Sequence, residues 1–358
     1  MFFKIPTLVY LEDECLKKHG RLMENYGRKA LIVTGRSSAR NGSLADVTAQ
    51  LDDCGISYQI YDQTKENPPV EQVMELQSLY RDYAPDFLIG LGGGSAIDLA
   101  KAAAVMLYYP DETADFLYKP VEITRNLPVV AIPTTCGTGS EVTGASVITR
   151  HEIGNKQSIT SRVYPVLALL DGKYIADCPQ TIIANTSIDA LGHLVESYIN
   201  TTASEYSDMI VREGLRVWSR CKETLKGEHR TAEDCNNLML SANYGGMAIA
   251  HCGTSLPHGA SYTVTYNTGM PHGKAVGYFL YGYLKYADES RVKDILELTQ
   301  FDSLEQFRDF IVAVCQIERL DEELLEKCAT ALAVNKSKLR FCPYDTSEET
   351  VRKVVFAL

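Results

Sequence analysis

The feature that most restricts the fold is an alternation confined to the first half of the chain. KALIVTG (29–35), ISYQIYD (56–62), DFLIGLGGG (86–94), LPVVAIPTT (127–135) and VLALLD (166–171) are short apolar runs separated by stretches with helical spacing. Continuous apolar runs between helices predict parallel strands buried on both faces, because the crossover helices cover the sheet. Beyond about residue 180 such runs stop, and SDMIVREGLRVWSRCKETL, AEDCNNLMLSANYGGMAIAHC, SLEQFRDFIVAVCQI and DEELLEKCATALAV follow with helical periodicity. The 358 residues suffice for two domains at roughly 150 residues each. The expected division is an α/β domain over 1–180 and an all-helical domain over 181–358, joined without a flexible linker.

Charge and cysteine usage narrow the function classes. A net charge of −11 argues against nucleic acid, whose phosphate backbone needs clustered Lys and Arg. No apolar run reaches the roughly 18 residues of a membrane span, and the opening MFFKIPTLVYLEDE turns acidic where a signal peptide would need small residues. Ten scattered cysteines without a Cys-x-x-Cys pair fit a reducing compartment, so a cytoplasmic protein is expected.

DFLIGLGGGSAIDLAKAAAV places Gly92, Gly93, Gly94 and Ser95 between a buried strand and a helix. Glycine lets backbone approach a ligand closely, and free N–H groups opening a helix attract phosphate. Taken singly, this is equally a tight strand-to-helix turn. The next strand, however, ends in IPTTCGTGSEVTG, a second hydroxyl- and glycine-rich loop at the same edge of a parallel sheet, where doubly wound folds bind nucleotides.

Donor atoms gather in the helical half. In SIDALGHLVESYIN, Asp189 and His193 are four residues apart and share one helix face, as a buried Asp–His hydrogen bond or as two metal donors. LPHGASYTVTYNTGMPHG repeats Pro-His-Gly with His258 and His272 fourteen residues apart, and the glycine after each is expected to give the backbone freedom to turn the ring inward. His19, beside Lys17 and Lys18, and His229, in KGEHR, read as surface residues. One carboxylate and three imidazoles suit a divalent ion such as Fe(II) or Zn(II). Four protein donors leave an open position on five- or six-coordinate iron, which favours Fe(II).

These motifs, in order along essentially the whole chain, resemble the iron-containing (group III) alcohol dehydrogenases, a family that includes butanol, 1,3-propanediol and lactaldehyde-reducing enzymes. GGGSAIDLAK resembles the phosphate loop, PTTCGTGSEVT the second cofactor loop with Cys136 in place of the usual Ala, and SIDALGHLVE with PHGASY through MPHGKAVG the two metal blocks. The resemblance implies a Rossmann-like domain, an all-helical metal-binding domain and an active site in the cleft between them. It implies Asp189, His193, His258 and His272 as metal ligands, Gly92 to Ser95 on the pyrophosphate, and Thr134, Thr135, Thr138 and Ser140 lining the cofactor cleft. Asp98 near the nicotinamide, Asn67 near the adenosine and Lys156 complete the implied set. The implied reaction interconverts a small primary alcohol or diol and its aldehyde, in a homodimer or larger homo-oligomer whose segment FFKIPTLVY is an edge strand for pairing. Zinc-dependent glycerol dehydrogenase, dehydroquinate synthase and a non-catalytic nucleotide- or metal-binding relative are the rival readings.

The sequence departs from the family pattern twice. A histidine often follows the third ligand by four residues to relay the alcohol proton, and here Tyr262 takes that place, with His251 as an alternative. NAD-preferring members carry Asp after the strand matching KALIVT, where this chain has Gly35 followed by Arg36, Ser37, Ser38 and Arg40. Loss of that carboxylate and gain of guanidinium and hydroxyl donors favour NADP(H).

Overall fold

The computed structural model describes residues 3–119, 125–227 and 229–358. The chain forms two compact units, one of Ile5–Thr135 with Gly139–Cys178, the other of Met1–Lys4, Cys136–Thr138 and Pro179–Leu358.

The first unit is built on six strands: β1 (Leu8–Leu11), β2 (Lys29–Thr34), β3 (Ser57–Tyr61), β4 (Phe87–Gly92), β5 (Val129–Pro133) and, after the pair β6 (Val147–Arg150) and β7 (Asn155–Ser158), β8 (Leu167–Leu170). All pairings in the main sheet are parallel, in the order β1-β8-β5-β4-β2-β3. Alternate side chains of the inner strands β2, β4, β5 and β8 enter opposite cores, as the period of two requires. Leu31, Val33, Leu88 and Val129 pack on one face with helix Gly94–Tyr108; Ala30, Ile32, Phe87, Ile89, Val130 and Ile132 pack on the other. Burial on both faces is why the inner strands read as unbroken apolar runs, whereas β3, expected to be buried likewise, lies at the sheet edge and is mostly exposed. β1 lies at a sheet edge, although Phe2 of the segment expected to pair there lies outside the described residues.

The order places a topological switch between β2 and β4: the chain leaves β2 toward β3 on one side and returns through β4 to the other. The loops after residues 34 and 92 therefore leave the carboxyl ends of neighbouring strands, registered Thr34 opposite Leu91. The antiparallel pair β6–β7 interrupts the βα rhythm between β5 and β8. β6, Val-Ile-Thr-Arg, is β-branched with Ile148 and Thr149 buried, whereas β7, Asn-Lys-Gln-Ser, is polar and part-exposed and carries no strand signal of its own; Gly154 at φ +60° makes the turn between them.

The second unit is helical. Helix Gln180–Tyr198 is buried along nearly its whole length, among helices Glu205–Ser219, Ala232–Cys252, Leu256–Thr268 and His272–Lys285. Thr231 and Asp234 form a reciprocal cap that starts Ala232–Cys252. None of the ten cysteines forms a disulfide, and all but Cys178 are buried. Among the described residues no helix is long and apolar enough to cross a membrane.

Candidate functional site

Three of the four expected ligands converge in the helical unit. One donor atom from each of Asp189, His258 and His272 lies within 4.8 Å of the others. His258 Nε2 and His272 Nε2 are 3.3 and 3.5 Å from Asp189 Oδ1. His193 stands one turn after Asp189 and does not join this group. Its ring stacks on His258 with centroids 4.6 Å apart.

The tripeptide repeat works differently from the sequence reading. Both histidines are helical, His258 in the first turn of Leu256–Thr268 and His272 as first residue of His272–Lys285, with a proline starting each helix. Neither Gly259 nor Gly273 has positive φ, so backbone freedom is not their purpose. Gly273 allows close packing instead: a Cβ there would lie 1.7 Å from the Asn185 carbonyl oxygen and 3.1 Å from Asp189 Cβ. That approach seats His272 against the Asp189 helix.

The Nδ1 atoms are held from behind. Ser261 Oγ donates to the His258 carbonyl and stands 3.3 Å from His272 Nδ1, where it accepts the ring N–H. His258 Nδ1 bonds Glu196 Oε1, and Glu196 Oε2 accepts the Ser255 N–H at 2.5 Å. With Nδ1 engaged, each ring presents Nε2 toward Asp189, so lone pairs and a carboxylate oxygen converge. Asp189 Oδ1, His258 Nε2 and His193 Nδ1 are buried without hydrogen-bond partners. Buried polar atoms are ordinarily satisfied, and a cation is what these donors lack. The residues present fit a divalent metal.

Electrostatics agree with that reading. Burial opposes the Asp189 charge, but His193, His272 and His258 hold its carboxyl well below the usual range. Burial pulls His193 down to about 4. For His258 burial also pulls downward, yet Glu196 and Asp189 prevail and raise it to about 9, marking a site that attracts positive charge.

Sequence reasoning missed Glu196. It lies seven residues after Asp189 and four before Asn200, on the ligand face of a buried helix, and its side chain is fully buried. A carboxylate on an apolar helix face, in register with two donors, was the available signal. Tyr262 stacks on His272 with centroids 5.6 Å apart. His251 is spent elsewhere: its Nε2 accepts from the Lys4 N–H, its Nδ1 meets the Met247 carbonyl at 2.8 Å, and its ring stacks on Phe3. Both nitrogens being engaged, it is no substitute relay.

In the α/β unit the glycine turn opens helix Gly94–Tyr108 with no side-chain cap, leaving its first N–H groups to a ligand. A Cβ on Gly93 would stand 3.1 Å from the Thr135 side chain, so the two loops meet there. Asn67, at φ +52°, donates its N–H to Ser95 Oγ, and its side-chain oxygen accepts from Lys156 Nζ at 2.7 Å. These three residues, far apart in sequence, thus form one cluster.

Other members of the expected set are tied inward. Ser140 Oγ donates to Asp98 Oδ1 at 2.5 Å, Lys101 Nζ donates to Ser140 Oγ at 2.7 Å, and the Val147 N–H reaches Asp98 Oδ2 at 2.8 Å. The segment Cys136–Thr138, and so Thr138, groups with the helical unit, where Cys136 Sγ meets Thr186 Oγ1 at 3.3 Å. After β2, Ser38 is fully buried and its hydroxyl accepts from Thr34 Oγ1 at 2.7 Å. It is therefore a core residue and not a phosphate donor, whereas Arg36 and Ser37 are exposed.

The family described as iron-containing alcohol dehydrogenase matches residues 6–172, and its C-terminal counterpart, the Fe-containing alcohol dehydrogenase family, matches 183–356. An NADPH-dependent butanol dehydrogenase of Clostridium saccharobutylicum is 27% identical over 310 residues, covering 85% of this chain and 78% of its own. A 4-hydroxybutyrate dehydrogenase of Clostridium kluyveri is 29% identical over 277 residues, covering 72% and 74%. The crystal structure of an iron-containing alcohol dehydrogenase from Thermotoga maritima superimposes with a TM-score of 0.92 at 34% identity, covering 100% of this chain and 99% of its own.

Proposed function

The chain belongs to the iron-containing alcohol dehydrogenase family and is an oxidoreductase, and from that premise we propose that it interconverts a small primary alcohol or diol and its aldehyde. It does so with NADP(H) in preference to NAD(H) and with a divalent ion, Fe(II) before Zn(II), on Asp189, His193, His258 and His272. The observation that carries this reading is the convergence of Asp189, His258 and His272 within 4.8 Å around buried atoms without hydrogen-bond partners.

When bound, the ion supplies Lewis acidity to an alcohol or carbonyl oxygen, and the nicotinamide gives or takes the hydride. The chain's own residues hold and orient. Glu196 and Ser261 fix the His258 and His272 rings through Nδ1. Tyr262, part-exposed and stacked on His272, carries the hydroxyl that passes a proton to solvent in place of the family histidine. The first turn of Gly94–Tyr108, with Thr134 and Thr135 beside it, receives the pyrophosphate, and Asn67 with Lys156 the adenosine side. Arg36 and Ser37 take the 2′-phosphate, with Gly35 removing the carboxylate that would repel it. Supporting the cofactor choice, the Clostridium saccharobutylicum relative is NADPH-dependent by name. A cytoplasmic homodimer or larger homo-oligomer belongs to the same proposal.

The test is anaerobic oxidation of NADPH and, separately, NADH by a panel of short aldehydes, on chelator-treated protein with Fe(II) or Zn(II) restored. Metal-dependent loss of NADPH faster than NADH is expected. If neither cofactor is oxidised with either metal, the protein is a non-catalytic relative and the proposal fails.

A further inference from the structure

Lys338 is a cation that the reaction proposed above does not use. It belongs to the short helix Lys336–Leu339, packed beside the helix that carries His258. A Cβ added at Gly259, the residue after that ligand, would stand 3.3 Å from Lys338 Cγ, so the lysine stem runs along the ligand helix. The Lys338 carbonyl faces Ser255 Oγ at 3.5 Å, beside the Glu196 that holds His258.

The ammonium then turns toward Tyr262. Nζ lies 5.3 Å from the Tyr262 ring centroid, and that ring stacks on His272 at 5.6 Å. His272, Tyr262 and Lys338 are part-exposed, whereas Asp189, His193 and His258 are buried. The accessible rim of the metal centre is therefore His272, then Tyr262, then an amine. A substrate whose oxygen sat at the ligands would meet this rim with its carbon chain.

Charge decides what that chain ends in. Nζ donates to Thr254 Oγ1; the carboxylate that acts on it is Glu196, whose two oxygens are already held by His258 Nδ1 and the Ser255 N–H, and among the described residues none comes within 4.0 Å of Nζ to form an ion pair. Taking an ammonium out of water without a close counter-charge is costly. Here one hydroxyl leaves donor capacity over, because an ammonium carries three N–H groups. An anion arriving with the substrate would complete it.

We propose that Lys338 is a specificity-determining residue that binds the anionic end of the substrate, making the favoured aldehydes those with a carboxylate or sulfonate at the far end of a short chain. This inference rests on the dehydrogenase reading for its reaction but not for its charge recognition.

The experiment measures kcat/KM of the metal-loaded protein for succinic semialdehyde and for butanal, in the wild type, Lys338→Met and Lys338→Arg. Succinic semialdehyde should be favoured at least tenfold by the wild type, the preference ratio should fall at least tenfold in Lys338→Met, and Lys338→Arg should keep most of it. In parallel, succinate and butyramide are titrated against Zn(II)-loaded protein with the melting temperature as readout. Succinate should raise it in the wild type and not in Lys338→Met. An unchanged ratio in Lys338→Met, or a wild type indifferent to the carboxylate in both assays, overturns the proposal. If no aldehyde is reduced yet succinate stabilises only the wild type, the anion site stands and the dehydrogenase reading falls.

Discussion

At the scale of the residue, the metal centre depends on what stands behind it as much as on the donors. Glu196 is the clearest case, with one oxygen on His258 Nδ1 and the other on the Ser255 N–H. Glu196→Gln puts an amide NH2 against one of those two donors, freeing the ring or the helix start. Metal affinity, measured by competition with a chromophoric chelator, should weaken by about ten- to hundredfold while far-UV dichroism stays unchanged. Unchanged affinity would show that Glu196 merely fills space. Ser38 shows the opposite economy: a hydroxyl that looks like a phosphate donor in sequence is a core hydrogen bond in the fold.

At the scale of the element, helix Gln180–Tyr198 and helix His272–Lys285 must touch backbone to backbone for the site to exist. Gly273 permits this, since any Cβ would meet the Asn185 carbonyl oxygen. Gly273→Ala should therefore cost roughly 3 kcal/mol or more in unfolding free energy and push His272 away from Asp189, so that metal retention falls with stability. A variant with wild-type stability and metal content would contradict the close-packing account. In the α/β unit the same role falls to the strand ends: parallel register brings the loops after β2, β4 and β5 to one end of the sheet, with Gly93 after β4 packed against Thr135 after β5.

At the scale of the whole molecule, unfolding should report a cost hidden in the α/β core. Burial holds the fully enclosed Lys101 amine down to about 8, with Asp98 and Glu141 opposing, against an ordinary 10.5. Below pH 8 both folded and unfolded chains carry this proton, and the fold bears the full cost of burying it. Between about 8 and 10.5 only the unfolded chain keeps the proton, so this group makes stability rise with pH across that window. Urea unfolding at pH 7, 8.5 and 9.5 should show wild type gaining on Lys101→Met as pH rises, and a constant difference would refute the account. The sequence by itself determined the parallel sheet, the helical second half and the four candidate ligands, because burial on both faces, helical period and donor type are local properties of the chain. It could not show that the glycines of the two Pro-His-Gly repeats serve packing, that Ser38 and His251 are already engaged, or that Asn67, Ser95 and Lys156 meet. Glu196 and Lys338 were equally hidden. Their roles come from neighbours brought close only by the packing of helices and loops distant in sequence, and the tertiary structure alone decides which donors a side chain meets.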